Sequence, residues 1–527
     1  MNALLVLYAG DLSEQALEPL ANGKNSLSLA LERSSLFPGV GKIVLLTDTS
    51  TPAMAIFPIP HSPFPHPPSP HIENRQSWTV KALLEAIATH SEGFDLSYFA
   101  WADCPFLDPA LAGRLAERHL RYAAEYSYAD GWPYGLAPEL LSPGTAAVLG
   151  KILGDGDGGE VKRDSLFAVI QKDINAFDIE TEISPVDLRC HRLSLCADSR
   201  RNLLLLRRCA DGGVPDTAAI ERIVAEKPEI LRTLPAFYPV QVCGGCPQSC
   251  AYCPWPLAGG AVTDRRDYME AGQFGSLLEK IAAFSGDAVI DLSLWGELSL
   301  HPHKMELIEM VLSRPECALV IETSGIGWKD SDLERSAELA KRAAACRKNP
   351  LPPLSWIVSL DAADSARYKE LRGAGFTEAT DCAKKLLSLF PHDAYVQAVR
   401  TVGAEDDIER FYRTWKETAG AANVIIQKYD DFCGMLPRKQ ASDLSPVQRQ
   451  PCWHLMRDMP VLIDGTVALC REQIAANGGI TLGNAFTEPL EAVWERGQRF
   501  YAEQTVSGGK TYNALCAGCD EYYTYNF

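Results

Sequence analysis

Cys243-Gly-Gly-Cys246-Pro-Gln-Ser-Cys250-Ala-Tyr252-Cys253 is a loop of four cysteines in eleven residues, and it follows directly on the apolar run Pro239 to Val242. Three of its thiols, Cys246, Cys250 and Cys253, stand in the compact spacing Cys-x3-Cys-x2-Cys. Three thiolates on one loop bind three irons of a cubane and leave the fourth iron open, and an open coordination position separates a reactive metal site from a sealed one. A zinc knuckle or a structural ferredoxin-type cluster is the alternative for such a loop. Cys243 stands outside the spacing and reads as a strand-end cysteine.

Downstream of the loop, apolar runs recur at Ala288 to Leu294, Ala318 to Glu322, Ser355 to Leu360, Tyr395 to Val399 and Asn423 to Gln427. With Pro239 to Val242 they make six strand-like runs, and the gaps hold helix-sized segments such as Tyr268 to Phe284, Asp330 to Arg347 and Ala363 to Leu389. Successive βα units predict a parallel sheet, here a partial (β/α)6 barrel over 237–432, with its chemistry on the loops after the strands. Upstream, Ala3 to Tyr8, Lys42 to Thr47 and Ser97 to Ala102 read as strands, and Ser26 to Ser35 as a helix, which predicts an α/β domain over 1–190. Pro52 to His71 holds eight prolines, so it is expected to be an extended loop, and its His61, His66 and His71 read as solvated rather than metal-bound. Residues 191–236 read as a connector, with Asn202 to Leu206 strand-like and Thr217 to Leu231 helical. Residues 433–527 form a small cysteine-rich domain. The 527-residue length fits several cores.

The cysteine spacing, with Tyr252 before the last thiol, resembles the radical S-adenosylmethionine (SAM) superfamily. The resemblance implies a 4Fe-4S cluster on Cys246, Cys250 and Cys253 that reductively cleaves SAM to a 5'-deoxyadenosyl radical. It extends to the later strand ends. Trp295-Gly296-Glu297-Leu298 resembles the family's Gly-Gly-Glu-Pro motif, implying that Gly296 and Glu297 bind the SAM amine, although Trp295 and Leu298 depart from the pattern. Thr323-Ser324-Gly325 and Ser359-Leu360-Asp361 resemble its next two motifs, implying that Ser324, Ser359 and Asp361 bind the ribose. Arg400, after the fifth run, and Arg372 are candidates for the SAM carboxylate.

In the tail, Cys452, Gly465-x4-Cys470 and Cys516-x2-Cys519 supply four thiolates, a complete set for a closed cluster. The pattern, with Leu482-Gly483-Asn484, resembles the SPASM/twitch extension of radical SAM proteins and implies a second, auxiliary 4Fe-4S cluster. The position where a full SPASM domain carries its next cysteine is Tyr525, two residues before the final Phe527. Cys433 is the candidate for any missing ligand, and a structural zinc is the alternative for the quartet.

In the N-terminal domain, Pro19-Leu20-Ala21-Asn22-Gly23-Lys24, Asp103 within Ala102 to Pro109, and Asp178 within Asn175 to Glu180 resemble sugar nucleotidyltransferases of the glycosyltransferase-A fold. The resemblance implies that Asp103 and Asp178 share a Mg2+ ion. The first loop, Ala9-Gly10-Asp11-Leu12-Ser13-Glu14, departs from the family's glycine-rich pattern, which leaves transfer activity, sugar-nucleotide binding and partner binding open. The whole order of parts resembles the spiro-SPASM proteins.

A net charge of -18 argues against long nucleic acid as a partner. No run is apolar enough to predict a membrane span, and the N-terminal residues lack signal-peptide character. With sixteen cysteines and no export signal, the expectation is a cytoplasmic protein whose thiolates serve metals. The function these readings imply is hydrogen abstraction from a peptide or a sugar or nucleotide-sugar substrate, with electrons from a flavodoxin or ferredoxin. An electron-transfer or scaffold protein with a decayed SAM site, and a nucleotidyltransferase with regulatory iron-sulfur domains, are the alternatives.

Overall fold

The computed structural model describes residues 1–49, 69–154, 156, 158–258, 267–347, 351–442, 445–446, 449–474, 478–506 and 513–524. Contacts divide the chain into two units, Met1–Thr233 and Leu234–Phe527.

The first unit is built on β1 (Ala3–Ala9), all seven residues of which are buried. A short hairpin of β2 (Pro19–Ala21) and β3 (Lys24–Asn25) follows, and the Asn25 side chain caps the helix Ser26–Ser34 by accepting from the Ser28 N–H. The remaining strands are β4 (Val40–Asp48), β5 (His71–Arg75), β6 (Leu96–Trp101), β7 (Tyr126–Asp130), β8 (Glu139–Leu141) and β9 (Ile179–Ile183). They order as β5-β4-β1-β6-β8-β7-β9, and β8 alone runs antiparallel to its neighbours. Apolar side chains of β1 point alternately to the two faces, and each face has its own core: Leu5 and Leu7 on one, Leu4 and Val6 on the other. His71 is the first residue of edge strand β5 and not part of a loop. His61 and His66 lie outside the described residues.

The expected strand at Asn202 to Leu206 is instead the middle of a helix, Arg200–Cys209. Ser199 caps its start, and Leu203, Leu206 and Cys209 fall on one buried side. A short apolar run fits either period, and here the cap decides.

In the second unit all six expected strands form: β10 (Phe237–Pro239), β11 (Ala288–Asp291), β12 (Cys317–Thr323), β13 (Leu354–Ser359), β14 (Ala394–Arg400) and β15 (Val424–Lys428). They lie side by side in chain order and every pair is parallel, which is a half-barrel. β10 begins earlier than expected and ends at Pro239, a residue suited to an edge because it has no N–H to donate. Its outer side is covered by the tail, where the Met459 and Val461 N–H groups donate to the Phe237 and Pro239 carbonyls at 2.9 and 2.8 Å. The tail adds an antiparallel pair, β16 (Thr466–Ala468) with β17 (Thr481–Asn484). Trp356 and Tyr238 of the barrel share one hydrophobic core with Val467, Trp494 and Tyr522 of the tail. No helix among the described residues is long and apolar enough to cross a membrane.

Candidate active site

The cysteine loop is clamped from two directions. The Ser249 and Ala251 N–H groups donate to the Arg372 and Leu371 carbonyls at 3.0 and 2.8 Å, and the Glu297 N–H donates to the Gly245 carbonyl at 2.8 Å. Cys246, Cys250 and Cys253 thereby line one cavity of about 240 Å³ at the C-terminal ends of the strands. Burial pushes the Cys246 thiol up to about 12 and the Cys253 thiol up to about 11, and it raises Cys250 as well. Without a cation these thiols are neutral, and a bound metal is what favours their thiolates.

Of the residues expected to bind SAM, Tyr252, Gly296, Glu297, Ser324 and Ser359 line the same cavity. Gly296 has φ +156°, and a Cβ there would lie 1.8 Å from the Cys243 carbonyl oxygen. Only glycine lets the β11 loop lie against the cysteine loop. Trp295, at φ 52°, turns its ring edge-on to Trp255 and Phe432 at centroid distances of 5.3 and 5.7 Å, and these rings make an aromatic wall. Glu297 is buried and holds the next loop in place: Thr323 Oγ1 donates to one carboxylate oxygen at 2.6 Å and the Ser324 N–H donates to the other at 2.8 Å. Burial raises its pKa, against the pull of these donors.

Two expectations are corrected. Asp361 lines no part of the cavity: one oxygen accepts from the Val399 N–H at 2.7 Å and the other pairs with Arg372 at 2.5 Å, so its task is to position Arg372, which does line the cavity. Arg400 is exposed. On β14 the cavity-lining residues are Gln397 and Val399, and the period of two puts Arg400 on the other face.

The cavity also gathers residues that sequence reasoning missed. Glu322 accepts from Ser359 Oγ at 2.6 Å and from Gln397 Nε2 at 2.8 Å, so three strands meet in one polar network. Asp291, Lys428, Asp430 and Arg471 complete that wall. Burial lifts Asp291 to about 6. The available signal was a polar side chain set in an apolar strand, as at Gln397 between Val396 and Ala398.

Cys452, Cys470, Cys516 and Cys519 converge on a second, smaller pocket, and Cys433 lines it with them. Gln473 Nε2 donates to Cys516 Sγ at 3.0 Å and the Glu521 N–H donates to Cys519 Sγ at 3.3 Å, contacts that suit thiolate ligands. Arg449 ties the Cys516 and Cys519 carbonyls together at 2.8 and 3.0 Å. Tyr525 and Phe527 lie outside the described residues.

The N-terminal pair does not form a cation site. Asp103 follows the end of β6, whereas Asp178 precedes β9, whose first residue is level with Tyr126, Leu141 and, through them, Ser97 near the start of β6. The two carboxylates therefore stand at opposite ends of the sheet, separated by roughly 20 Å along the strands at about 3.3 Å per residue. Asp103 is instead paired with Arg163 through both oxygens at 2.8 and 2.5 Å, and that guanidinium stacks over Trp101 at 4.2 Å. Asp103 and Asp178 are too far apart to share the expected Mg2+ ion. Asp103 does adjoin a buried thiol pair, with Cys104 Sγ 3.5 Å from Cys196 Sγ.

Residues 452–520 match the family of SPASM iron-sulfur cluster-binding domains. An uncharacterized protein of Treponema pallidum (strain Nichols) is 37% identical over 369 residues, covering 69% of this chain and 98% of that one. Among solved structures, BtrN in complex with AdoMet and 2-DOIA is similar at 17% identity and a TM-score of 0.35, covering 55% of this chain and 93% of that chain. A cytidylyltransferase from Leptospira borgpetersenii is similar at 14% identity and a TM-score of 0.34, covering 44% of this chain and 96% of that chain. With a three-thiol loop at the strand ends of a parallel half-barrel and a matched iron-sulfur cluster-binding domain in its tail, the chain belongs to the family of the Treponema pallidum protein and carries a SPASM domain at residues 452–520.

Proposed function

We propose that Cys246, Cys250 and Cys253 hold a 4Fe-4S cluster, that SAM binds beside it in the cavity, and that the enzyme abstracts hydrogen from a peptide or sugar-bearing substrate. The observation that carries this reading is convergence. The three thiols, Gly296, Glu297, Ser324 and Ser359 come from four different strand ends, and all of them line one cavity.

The donor set fits the ligands. Three thiols leave one iron position open. Arg372 Nε is buried with no partner among the described residues, a donor suited to a carboxylate. The Glu322, Ser359 and Gln397 network offers oxygens suited to ribose hydroxyls. When bound, the cluster and SAM supply a one-electron cleavage and, through it, hydrogen-atom abstraction. The chain's own residues orient and shield: Glu297 fixes the Thr323-Ser324 turn, Asp361 fixes Arg372, and Trp255, Trp295 and Phe432 wall off one side.

The SPASM match favours a peptide substrate, and the transferase-like pattern of the first unit favours a sugar or nucleotide sugar. A flavodoxin or ferredoxin is the proposed reductant. The test is anaerobic reconstitution with iron and sulfide, dithionite reduction, addition of SAM and chromatography for 5'-deoxyadenosine. The expected result is product from the native chain and none from Cys250→Ala. Intact clusters without product would move the electron-transfer reading into its place.

A further inference from the structure

In the first unit Arg163 stands between two carboxylates that come from different loops. Its Nη1 and Nη2 groups donate to the two oxygens of Asp103 at 2.8 and 2.5 Å, and Nη2 also reaches Asp198 Oδ2 at 3.4 Å. One nitrogen therefore touches both acids. Asp103 is buried just after β6, and Asp198 is exposed just before the helix Arg200–Cys209. The guanidinium lies over the Trp101 ring at 4.2 Å and the Tyr134 ring at 5.6 Å, a stack that a flat cation makes while it forks onto a carboxylate.

The backbone, and not the arginine, brings the two acids together. The Ala197 N–H donates to the Asp103 carbonyl at 2.9 Å, and Ser26 Oγ donates to the same carbonyl at 2.8 Å. Asn202 Nδ2 donates to Asp198 Oδ1 at 2.7 Å and leaves Oδ2 turned to Arg163. Two carboxylates held side by side repel each other unless a cation lies between them, and a hard divalent ion with oxygen ligands is the common solution. Here a side chain fills that place.

We propose that Arg163 is a built-in replacement for a divalent cation, so that the first unit holds no metal at Asp103 and Asp198 and works without one. The inference concerns the first unit alone and stands whether or not the second unit cleaves SAM. The guanidinium balances one of the two negative charges, and its Nη donors are taken up by the carboxylates. It holds the loops after β6 and before the helix Arg200–Cys209 in register, and offers no open coordination position to a phosphate. Binding, and not metal-assisted transfer, is therefore the task left to this end of the sheet.

The experiment is calorimetric titration of MnCl2 into the iron-loaded full chain and its variants, with thermal unfolding of each at saturating Mn2+. The native chain and Asp198→Asn should titrate alike. Arg163→Met, which keeps a side chain over Trp101, should gain about one Mn2+ per chain, bound at least about tenfold more tightly than at any site of the native chain. Arg163→Met/Asp198→Asn should lose that gain. Mn2+ should also raise the unfolding midpoint of Arg163→Met by more than it raises the native one, because the ion takes over the task of the guanidinium. A native chain that binds Mn2+ and loses it in Asp198→Asn overturns the replacement. So does an Arg163→Met chain that gains no Mn2+, or that stays unfolded when Mn2+ is saturating.

Discussion

Gly296 shows how narrow a single position can be. Its φ of +156° and the 1.8 Å approach of an added Cβ to the Cys243 carbonyl leave an alanine nowhere to go except by moving the cysteine loop. Gly296→Ala is expected to lower 5'-deoxyadenosine formation by at least about tenfold, equivalent to about 1.4 kcal/mol. A native rate in the single-turnover assay would show that the loop yields freely. Asp361 and Arg372 make a second test. Each is buried, so removing one partner strands a charge, at a cost of about 3–5 kcal/mol. Asp361→Ala should therefore lower stability in urea unfolding by about that amount, and Asp361→Ala/Arg372→Met should recover part of it. A double variant as unstable as the single one would place the loss in the Val399 N–H contact instead. Both residues were legible as candidates in the sequence. That they face each other was not, because the helix Ser365–Leu371 folds the chain back between them.

The helix Pro109–Arg121 carries its own titration. His119 is buried on its inner side, with Nδ1 2.8 Å from Ser127 Oγ and Nε2 3.1 Å from Ser142 Oγ. Ser142 gives its hydroxyl proton to the Ala124 carbonyl at 2.6 Å, so it accepts from Nε2–H, and Nδ1 accepts from Ser127. The bond that Nδ1 accepts requires the neutral ring, and burial lowers the pKa to about 4 from 6.5. The sign follows from linkage. Between pH 6.5 and 4 the unfolded chain takes up a proton that the folded helix refuses, so stability is complete above that window and falls as the pH drops through it, by roughly 3 kcal/mol. Thermal unfolding across this range should show a shallower decline for His119→Gln, and an unchanged slope would remove His119 from the account. Strand parity worked in the same way at Arg400, whose position after an apolar run was legible while the face it occupies was set by the register of β14 against β15.

At the scale of the molecule, the half-barrel and the cysteine-rich tail share one hydrophobic core, in which Cys452 itself is a member. Cluster loading should therefore stabilise more than the tail, since a ligand that binds only the folded state raises its unfolding free energy. Calorimetry of reconstituted and iron-free protein should show a rise of several degrees on loading, about half of it lost in Cys452→Ala. Equal midpoints would mean that the core is complete without iron. The sequence by itself determined the three-thiol loop, the six parallel βα units and the four tail thiols, because these depend on spacing and apolar period within short segments. It also showed the acidic, glycine-poor first loop, Ala9 to Glu14, where the N-terminal unit departs from the nucleotidyltransferase pattern it otherwise resembles. Only the tertiary structure decided that Glu322, Gln397 and Arg471 share the cavity, that Asp103 is held by Arg163 far from Asp178, and that Cys433 lines the pocket of the four tail thiols. Those outcomes depend on strand register and side-chain direction between segments distant in the chain, and no local pattern carries that information.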